Sequence, residues 1–233
     1  MKLSVVIPAY NEERTLAGVV ARVRAIVTPG WEREIVVVDD GSTDGTSAVV
    51  AAIAGPDLAA RRLETNRGKG AALRAGFAAA TGEFIVIQDA DSEYDPADLP
   101  SLLDALRAGG ADAAYGSRIL GSNPKSYFSY YWGGRLLTAI FNVVYGQRLT
   151  DVTTCYKVFR RKDALELGLT CDGFEFCEEL TARLVRSGRR IVEAPITYAP
   201  RSIAEGKKIR WHDGLTAIWT MVRLRFSSGA PRR

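Results

Sequence analysis

The sequence predicts an α/β protein with a mainly parallel central sheet flanked by helices. Three observations carry that prediction. Short apolar runs alternate with stretches of helical periodicity through the first half of the chain. Those runs are nearly unbroken in apolar residues, as strands covered on both faces require. Polar clusters follow three of them at once, where open sheets of this kind bind ligands.

The first strand is Leu3–Pro8, followed by a helix over Glu12–Val27 with Leu16, Val19, Val20, Val23, Ile26 and Val27 on one face. Asn11 is placed to cap it, and Glu12 and Glu13 suit the positive end of its dipole. Glu34–Val38 is the second strand; DDGSTDGT then turns into a helix near Thr46–Ala54. Arg62–Glu64 reads as a short strand, RGKGAALRAGFAAATG as a glycine-punctuated helix and Phe84–Gln88 as another strand. A helix over Ala97–Ala108 and a strand over Ala111–Gly116 complete the alternating half.

The second half is different. Residues 127–146 are apolar and aromatic with a single charge, Arg135. A span needs about 20 mostly apolar residues, and a central Arg costs roughly 2.5–3.5 kcal/mol on insertion scales. The stretch is therefore expected in an interface or packed on the sheet. Leu215, Ile218, Trp219, Val222 and Phe226 recur at helical spacing beside Arg223 and Arg225. That pattern fits a basic amphipathic helix on a membrane surface, and equally a helix packed on the core.

Composition is that of a globular protein, 47% hydrophobic and 25% charged. Three cysteines, none in a C-x-x-C pair, argue against a disulfide framework and for a reducing compartment. The N-terminal apolar run, cut by Pro8, is too short for a signal peptide's core, so a cytoplasmic protein is expected. Net charge is +4, but the segment from Arg201 onward carries +6 and the rest −2. Such a tail either meets an anionic partner or is a solvated end. Nucleic acid is disfavoured, because the basic residues sit in one loop and tail rather than along a broad face.

The chemistry concentrates in FIVIQDADSEYDP, residues 84–96, a strand ending in acids at every second position. Asp89 and Asp91, two apart, point to one side in extended geometry. Converging carboxylates repel unless a cation joins them. Hard ions such as Mg²⁺ or Mn²⁺ take oxygen ligands and share them with substrate phosphates. The competing reading is an acidic solvated turn. Glu12 and Asp40 offer acceptors at neighbouring strand ends, and Pro8, Ala9 and Tyr10 an apolar wall. Lys69, at a helix start, can meet phosphate together with free backbone N–H groups. There is no G-x-G-x-x-G after the first strand and no G-x-x-x-x-G-K-[ST], which argues against a nicotinamide-binding domain and excludes a P-loop.

Taken in order, VVIPAYNE, VVVDDGSTDGT, RGKG and DAD resemble the inverting family-two glycosyltransferases of GT-A fold, over residues 3 to about 118. The remainder, with GSRI, GGRLLTAI, DVTTCYKVFRR, GFEFCEEL and RSIAEGKKI, resembles the polyprenyl-phosphate branch typified by dolichyl-phosphate mannose and glucose synthases. The resemblance implies a catalytic domain over 1–210, with an interfacial, acceptor-binding segment at 122–147. Residues 211–233 would add an amphipathic membrane-surface helix and basic tail. Pro8, Ala9, Tyr10, Glu12, Val38, Asp40 and Lys69 are then expected around the nucleotide sugar. Asp89, Ala90, Asp91 and Glu93 are expected at a Mg²⁺ or Mn²⁺ ion and the diphosphate. Glu93 stands where mannose synthases usually carry Gln, and DVTTCYK is closer to the glucose synthases, which leans toward a UDP-sugar. Arg118 and Arg135 match positions that bind the lipid phosphate. Arg201 and Lys207, or Lys208, match a loop closing over the diphosphate. Glu178 and Glu179 are read as structural or positioning.

The implied activity is metal-dependent transfer of a hexose from GDP-mannose, UDP-glucose or UDP-N-acetylglucosamine to a polyprenyl phosphate. It would occur at the cytosolic membrane face, with room for a separate integral membrane partner. The alternatives are a family-two transferase acting on a hydroxyl, and a nucleotide-sugar-binding peripheral partner without catalysis.

Overall fold

The computed structural model describes residues 1–124, 128–201 and 208–227. Its centre is a seven-stranded sheet: β1 Lys2–Ala9, β2 Glu32–Asp39, β3 Leu58–Arg62, β4 Phe84–Ile87, β5 Ala113–Ser117, β6 Lys157–Arg160 and β7 Ile191–Pro195. The spatial order is β3-β2-β1-β4-β6-β5-β7. Every pairing is parallel except those of β6, which runs antiparallel to β4 and β5.

Among the described residues, eight α-helices pack around it: α1 Leu16–Ala25, α2 Thr46–Ala52, α3 Lys69–Ala79, α4 Leu99–Gly109, α5 Phe128–Tyr145, α6 Arg161–Glu166, α7 Phe176–Arg186 and α8 Trp211–Phe226. The apolar runs of β1 and β2 are explained by period-two alternation between two covered faces. Val5, Ile7, Ile35 and Val37 enter a core with α1 and α4, while Val6, Val36 and Val38 enter another with α3 and α7.

Two local expectations fail. The third strand is Leu58–Arg62, earlier than Arg62–Glu64, because its partners are Ile35–Asp39 of β2 and the chain leaves the ladder after Arg62. Asn11 does not cap α1, whose cap position is Thr15. Asn11 sits instead at φ 52°, and its side-chain oxygen accepts from the Thr43 N–H at 2.9 Å.

The second half reaches the site through β6. Its register sets Lys157 beside Tyr115, and Val158 beside Val86, near the C-terminal ends of β5 and β4. An antiparallel insertion therefore delivers the residues that precede it, Asp151 to Cys155, to the edge where β1, β2 and β4 end.

α8 and α5 each have two sides. Ala217, Met221 and Leu224 are buried with Phe141, Val152 and Ala182. Tyr145 donates to the Met221 carbonyl at 2.8 Å and Arg225 to that of Val144 at 3.0 Å, joining the helices. Trp211, Leu215, Trp219 and Phe226 of α8 stay exposed, as do Trp132, Leu136 and Val143 of α5. Periodicity left a choice between core and surface packing; the helices do pack on the core and still expose an apolar face. Among the described residues, no helix is long and apolar enough to cross a membrane.

Candidate active site

The loops after β1, β2 and β3 are tied to one another. The Asn11 N–H donates to Ser42 Oγ at 3.0 Å and the Glu12 N–H to Thr46 Oγ1 at 2.8 Å. Asp40, buried, accepts from the N–H groups of Arg67 and Gly68 at 2.9 and 2.8 Å. Burial raises its pKa, while those two N–H groups pull it back. Asp40 thus orders the RGKG turn as well as lining the cleft. That turn needs its glycines: Gly68 has φ 99°, and a Cβ on Gly70 would stand 2.2 Å from the Cys171 carbonyl oxygen. The N–H groups of Gly70 and Ala71, expected to be free for phosphate, donate to the Asp172 carbonyl at 2.7 and 3.3 Å.

The acidic comb folds as a turn with Ser92 at φ 63°, and the Glu93 N–H donates to Asp91 Oδ1 at 3.0 Å. Its members then diverge. Asp89 accepts from Lys69 Nζ at 2.5 Å, and Asp91 pairs with Arg201 at 2.7 Å. Glu93 accepts from Tyr198 Oη at 2.7 Å and from the Arg201 N–H at 2.8 Å. Glu93, expected at the metal, here faces Tyr198 and Arg201. Each of its oxygens is engaged in holding the chain around Arg201, and no trio of carboxylates, Cys or His among the described residues is arranged to hold a metal.

The Asp89/Asp91 pair does fit a divalent cation by its donor chemistry. Burial pushes Asp89 up to about 7, with Cys155 adding and Lys69 opposing. Burial, then Asp89 and Glu93, push Asp91 up to about 6 against the pull of Arg201. Two hard oxygen donors thus line one cleft, each already drawing a cation, Lys69 or Arg201, to itself. Lys69, although burial works against its charge, is held well above its ordinary value, with Asp89 the main cause.

One cleft of about 1040 Å³ joins these groups. It is lined by Pro8, Ala9, Tyr10, Glu12 and Asp40 on one side, then by Lys69, Asp89, Ala90, Asp91 and Glu93. Beyond these it continues to Arg118, Arg135 and the aromatic and apolar residues of α5 and α8. Val38 is not among the lining residues. Its side chain is fully buried in the α3 core, against Gly76, so the nucleoside role expected of it is not one its side chain can fill. Lys207 lies outside the described residues. Its neighbour Lys208 donates to Glu12 Oε1 at 2.7 Å and to the Tyr10 carbonyl, 5.5 Å from the Tyr10 ring centre.

Arg118 is held more firmly than expected. Its Nε and Nη2 grip Asp151 at 2.7 Å each, Nη2 also donates to Thr153 at 2.6 Å, and the guanidinium lies 5.2 Å over the Tyr198 ring. The bidentate face is therefore spent on Asp151, and Nη1 is the nitrogen with no hydrogen bond among the described residues. Arg135 lines the same cleft from α5 with its side chain exposed.

Glu178 and Glu179 of GFEFCEEL part ways. Glu179 is structural: it accepts from the N–H groups of Thr170 and Cys171 at 2.9 and 2.7 Å and pairs with Arg183 at 2.9 Å. Glu178 lines the cleft, and burial pushes it up to about 7. Several groups escaped sequence reasoning: Asp151, Thr153, Cys155, Cys177 and Tyr198, all at the cleft. DVTTC offered a signal in its polar run just before a strand, but Tyr198 offered none.

Comparison with known proteins agrees with this architecture. Residues 4–168 match Glycosyl transferase family 2. Undecaprenyl-phosphate mannosyltransferase of Micrococcus luteus is 34% identical, spanning 97% of this chain and 99% of that protein. Polyprenol monophosphomannose synthase of Mycolicibacterium smegmatis is 34% identical over 87% of this chain and 79% of its own. The crystal structure of glucosyl-3-phosphoglycerate synthase from Mycobacterium tuberculosis, in complex with Mn²⁺, UDP and phosphoglyceric acid, superposes with a TM-score of 0.72. It is 21% identical over 98% of this chain and 80% of that one, and shares the GT-A fold. With its strand-end carboxylates and a family match covering most of its length, the chain belongs to glycosyl transferase family 2.

Proposed function

We propose that this glycosyltransferase moves a hexose from a nucleoside-diphosphate sugar to a polyprenyl phosphate, with inversion. The observation that carries the proposal is the continuity of the cleft. An end lined by Tyr10 and Asp40, paired carboxylates, two arginines and an apolar stretch of α5 and α8 occur in one space. The apolar stretch suits a lipid chain and the arginines its phosphate. The relatives' names point the same way, and they put mannose first among the sugars to test.

Asp89 and Asp91 would hold Mg²⁺ or Mn²⁺, which when bound offsets charge growing on the departing diphosphate. Lys69 and Arg201, already drawn in by those carboxylates, would add two more cations beside the same leaving group. A phosphate monoester is ionised at neutral pH, so the acceptor attacks the sugar carbon without a general base. Arg118, locked by Asp151 and Thr153, would offer Nη1 to that phosphate, and Arg135 the flexible second contact. The exposed apolar residues of α5 and α8 would seat the cleft mouth on the cytosolic face of a membrane, alone or beside an integral membrane partner.

Radiolabelled GDP-mannose, UDP-glucose and UDP-N-acetylglucosamine, each incubated with protein, Mn²⁺ and polyprenyl phosphate, test the reading. A labelled lipid is expected from one of them, and none from any would overturn it. A hydroxyl acceptor is favoured by one observation, that Glu178 lines the cleft, with burial pushing its carboxyl up to about 7. In that case Glu178→Gln would abolish turnover and Arg135→Ala would be mild; a phosphate acceptor predicts the reverse order.

A further inference from the structure

Two cysteines from separate elements meet on the floor of the cleft. Cys155 precedes β6 and Cys177 lies in the first turn of α7, yet their sulfurs are 3.8 Å apart. Both line the cleft, and Lys69 Nζ stands 2.9 Å from Cys155 Sγ while it pairs with Asp89 at 2.5 Å. A second ammonium, Lys157, donates to the Cys177 carbonyl at 2.7 Å. The contact between the two thiols lowers Cys177, with Lys157 helping, while the same contact and burial push Cys155 up, so Cys177 is the thiol nearer its thiolate, the form that reacts with oxidants. Cys171, the remaining cysteine, is buried away from the pair and does not line the cleft.

We propose that Cys155 and Cys177 form a modification site: an oxidisable dithiol that closes to a disulfide and switches off the adjoining donor site. With hydrogen peroxide as oxidant, one thiolate is oxidised to a sulfenic acid with release of water. The second thiol then displaces hydroxide from it, forming the S–S bond and a second water. Two S–H bonds are lost and the peroxide O–O bond is reduced. A disulfide needs about 2 Å between sulfurs, so the present separation must close by about 1.8 Å. Cys155 sits at the end of the loop carrying Asp151 and Thr153, the partners of Arg118, and its N–H is anchored on Tyr94 Oη at 3.2 Å. Drawing its sulfur toward α7 takes from Lys69 one of its two partners and pulls on the loop that holds Arg118. A displacement of about 1 Å in a catalytic arrangement can cost roughly a hundredfold in rate.

The test oxidises the whole protein with hydrogen peroxide and maps its peptides without reduction. A Cys155–Cys177 linked peptide is expected, with an intact mass lower by about 2 Da and restored by dithiothreitol. Donor turnover should fall by roughly tenfold to a hundredfold on oxidation and return on reduction. Each variant is compared with its own untreated sample. C171S should lose activity on oxidation as the parent does, and C177S should keep most of its untreated rate. Absence of the linked peptide overturns the site; a linked peptide with undiminished turnover overturns the switch. So does a C177S variant inactivated as fully as the parent. The peptide map needs neither variant to fold, and it reads the dithiol whether or not the lipid-phosphate acceptor is correct.

Discussion

Replacing Glu178 by glutamine isolates the cost of a carboxylate buried beside the cleft. The side chain is 3% exposed and is met by its own backbone N–H, with Lys157 contributing charge at longer range. Burial nevertheless dominates and raises the carboxyl from 4.5 to about 7. In the window between those values the folded state holds a proton that the unfolded chain has released. Stability from that proton is complete below the unfolded pKa and is lost as pH rises through the folded one. At about 1.4 kcal/mol per pKa unit, the rise corresponds to about 3 kcal/mol at most. Glutamine mimics the protonated acid at every pH. The variant should therefore match the parent near pH 4.5 and exceed it by up to about 3 kcal/mol above the folded pKa. Thermal melts of both proteins across that range read the gap, at about 2–4 °C per kcal/mol for a chain of this size. Other titrating groups cancel in the difference between the two proteins. A gap that does not change with pH would refute the assignment of a neutral, burial-shifted Glu178.

Asp151→Ala should destabilise the protein by about 1–3 kcal/mol in urea unfolding, because Arg118, partly buried and still held by Thr153, would lose its bidentate partner; a loss near zero would show the pair to be hydrated. Chelation with EDTA should abolish transfer and added Mn²⁺ restore it, while Asp91→Asn should cost roughly a hundredfold or more in turnover even with metal in excess. Full activity in EDTA would remove the cation from the mechanism. The protein should sediment with anionic liposomes at low salt and less at high salt, and Trp219→Glu, on the exposed face of α8, should weaken that binding; equal sedimentation would leave α8 a core helix alone.

The strands ending in PAYNE, DDGSTD and DADSE were legible because each is a local pattern: an apolar run followed by polar residues that the sheet must expose at its edge. Asp40, Asp89 and Asp91 could be named from spacing for the same reason. Val38 and Glu93 show the limit. A strand residue's face depends on which helix covers it, and Val38 points to α3 rather than to the cleft. Glu93 shares the alternation of Asp89 and Asp91, but Ser92 breaks the extended geometry and Tyr198 and Arg201 claim its carboxylate. The basic stretch from Arg201 onward read either as a patch for an anionic partner or as a solvated end. Of its described members, Arg201 and Lys208 turn inward onto Asp91 and Glu12, while Arg210 and Arg225 stay exposed.

The amino-acid order by itself determined the alternating half of the sheet, the strand-end carboxylates and the amphipathic character of the last helix, since each follows from contacts within a few residues. The antiparallel insertion of β6, the Arg118–Asp151 lock and the meeting of Cys155 with Cys177 were decided only by tertiary structure. Those groups lie 22 or more positions apart in the chain, and no spacing rule encodes which loops the sheet's topology will bring to one edge.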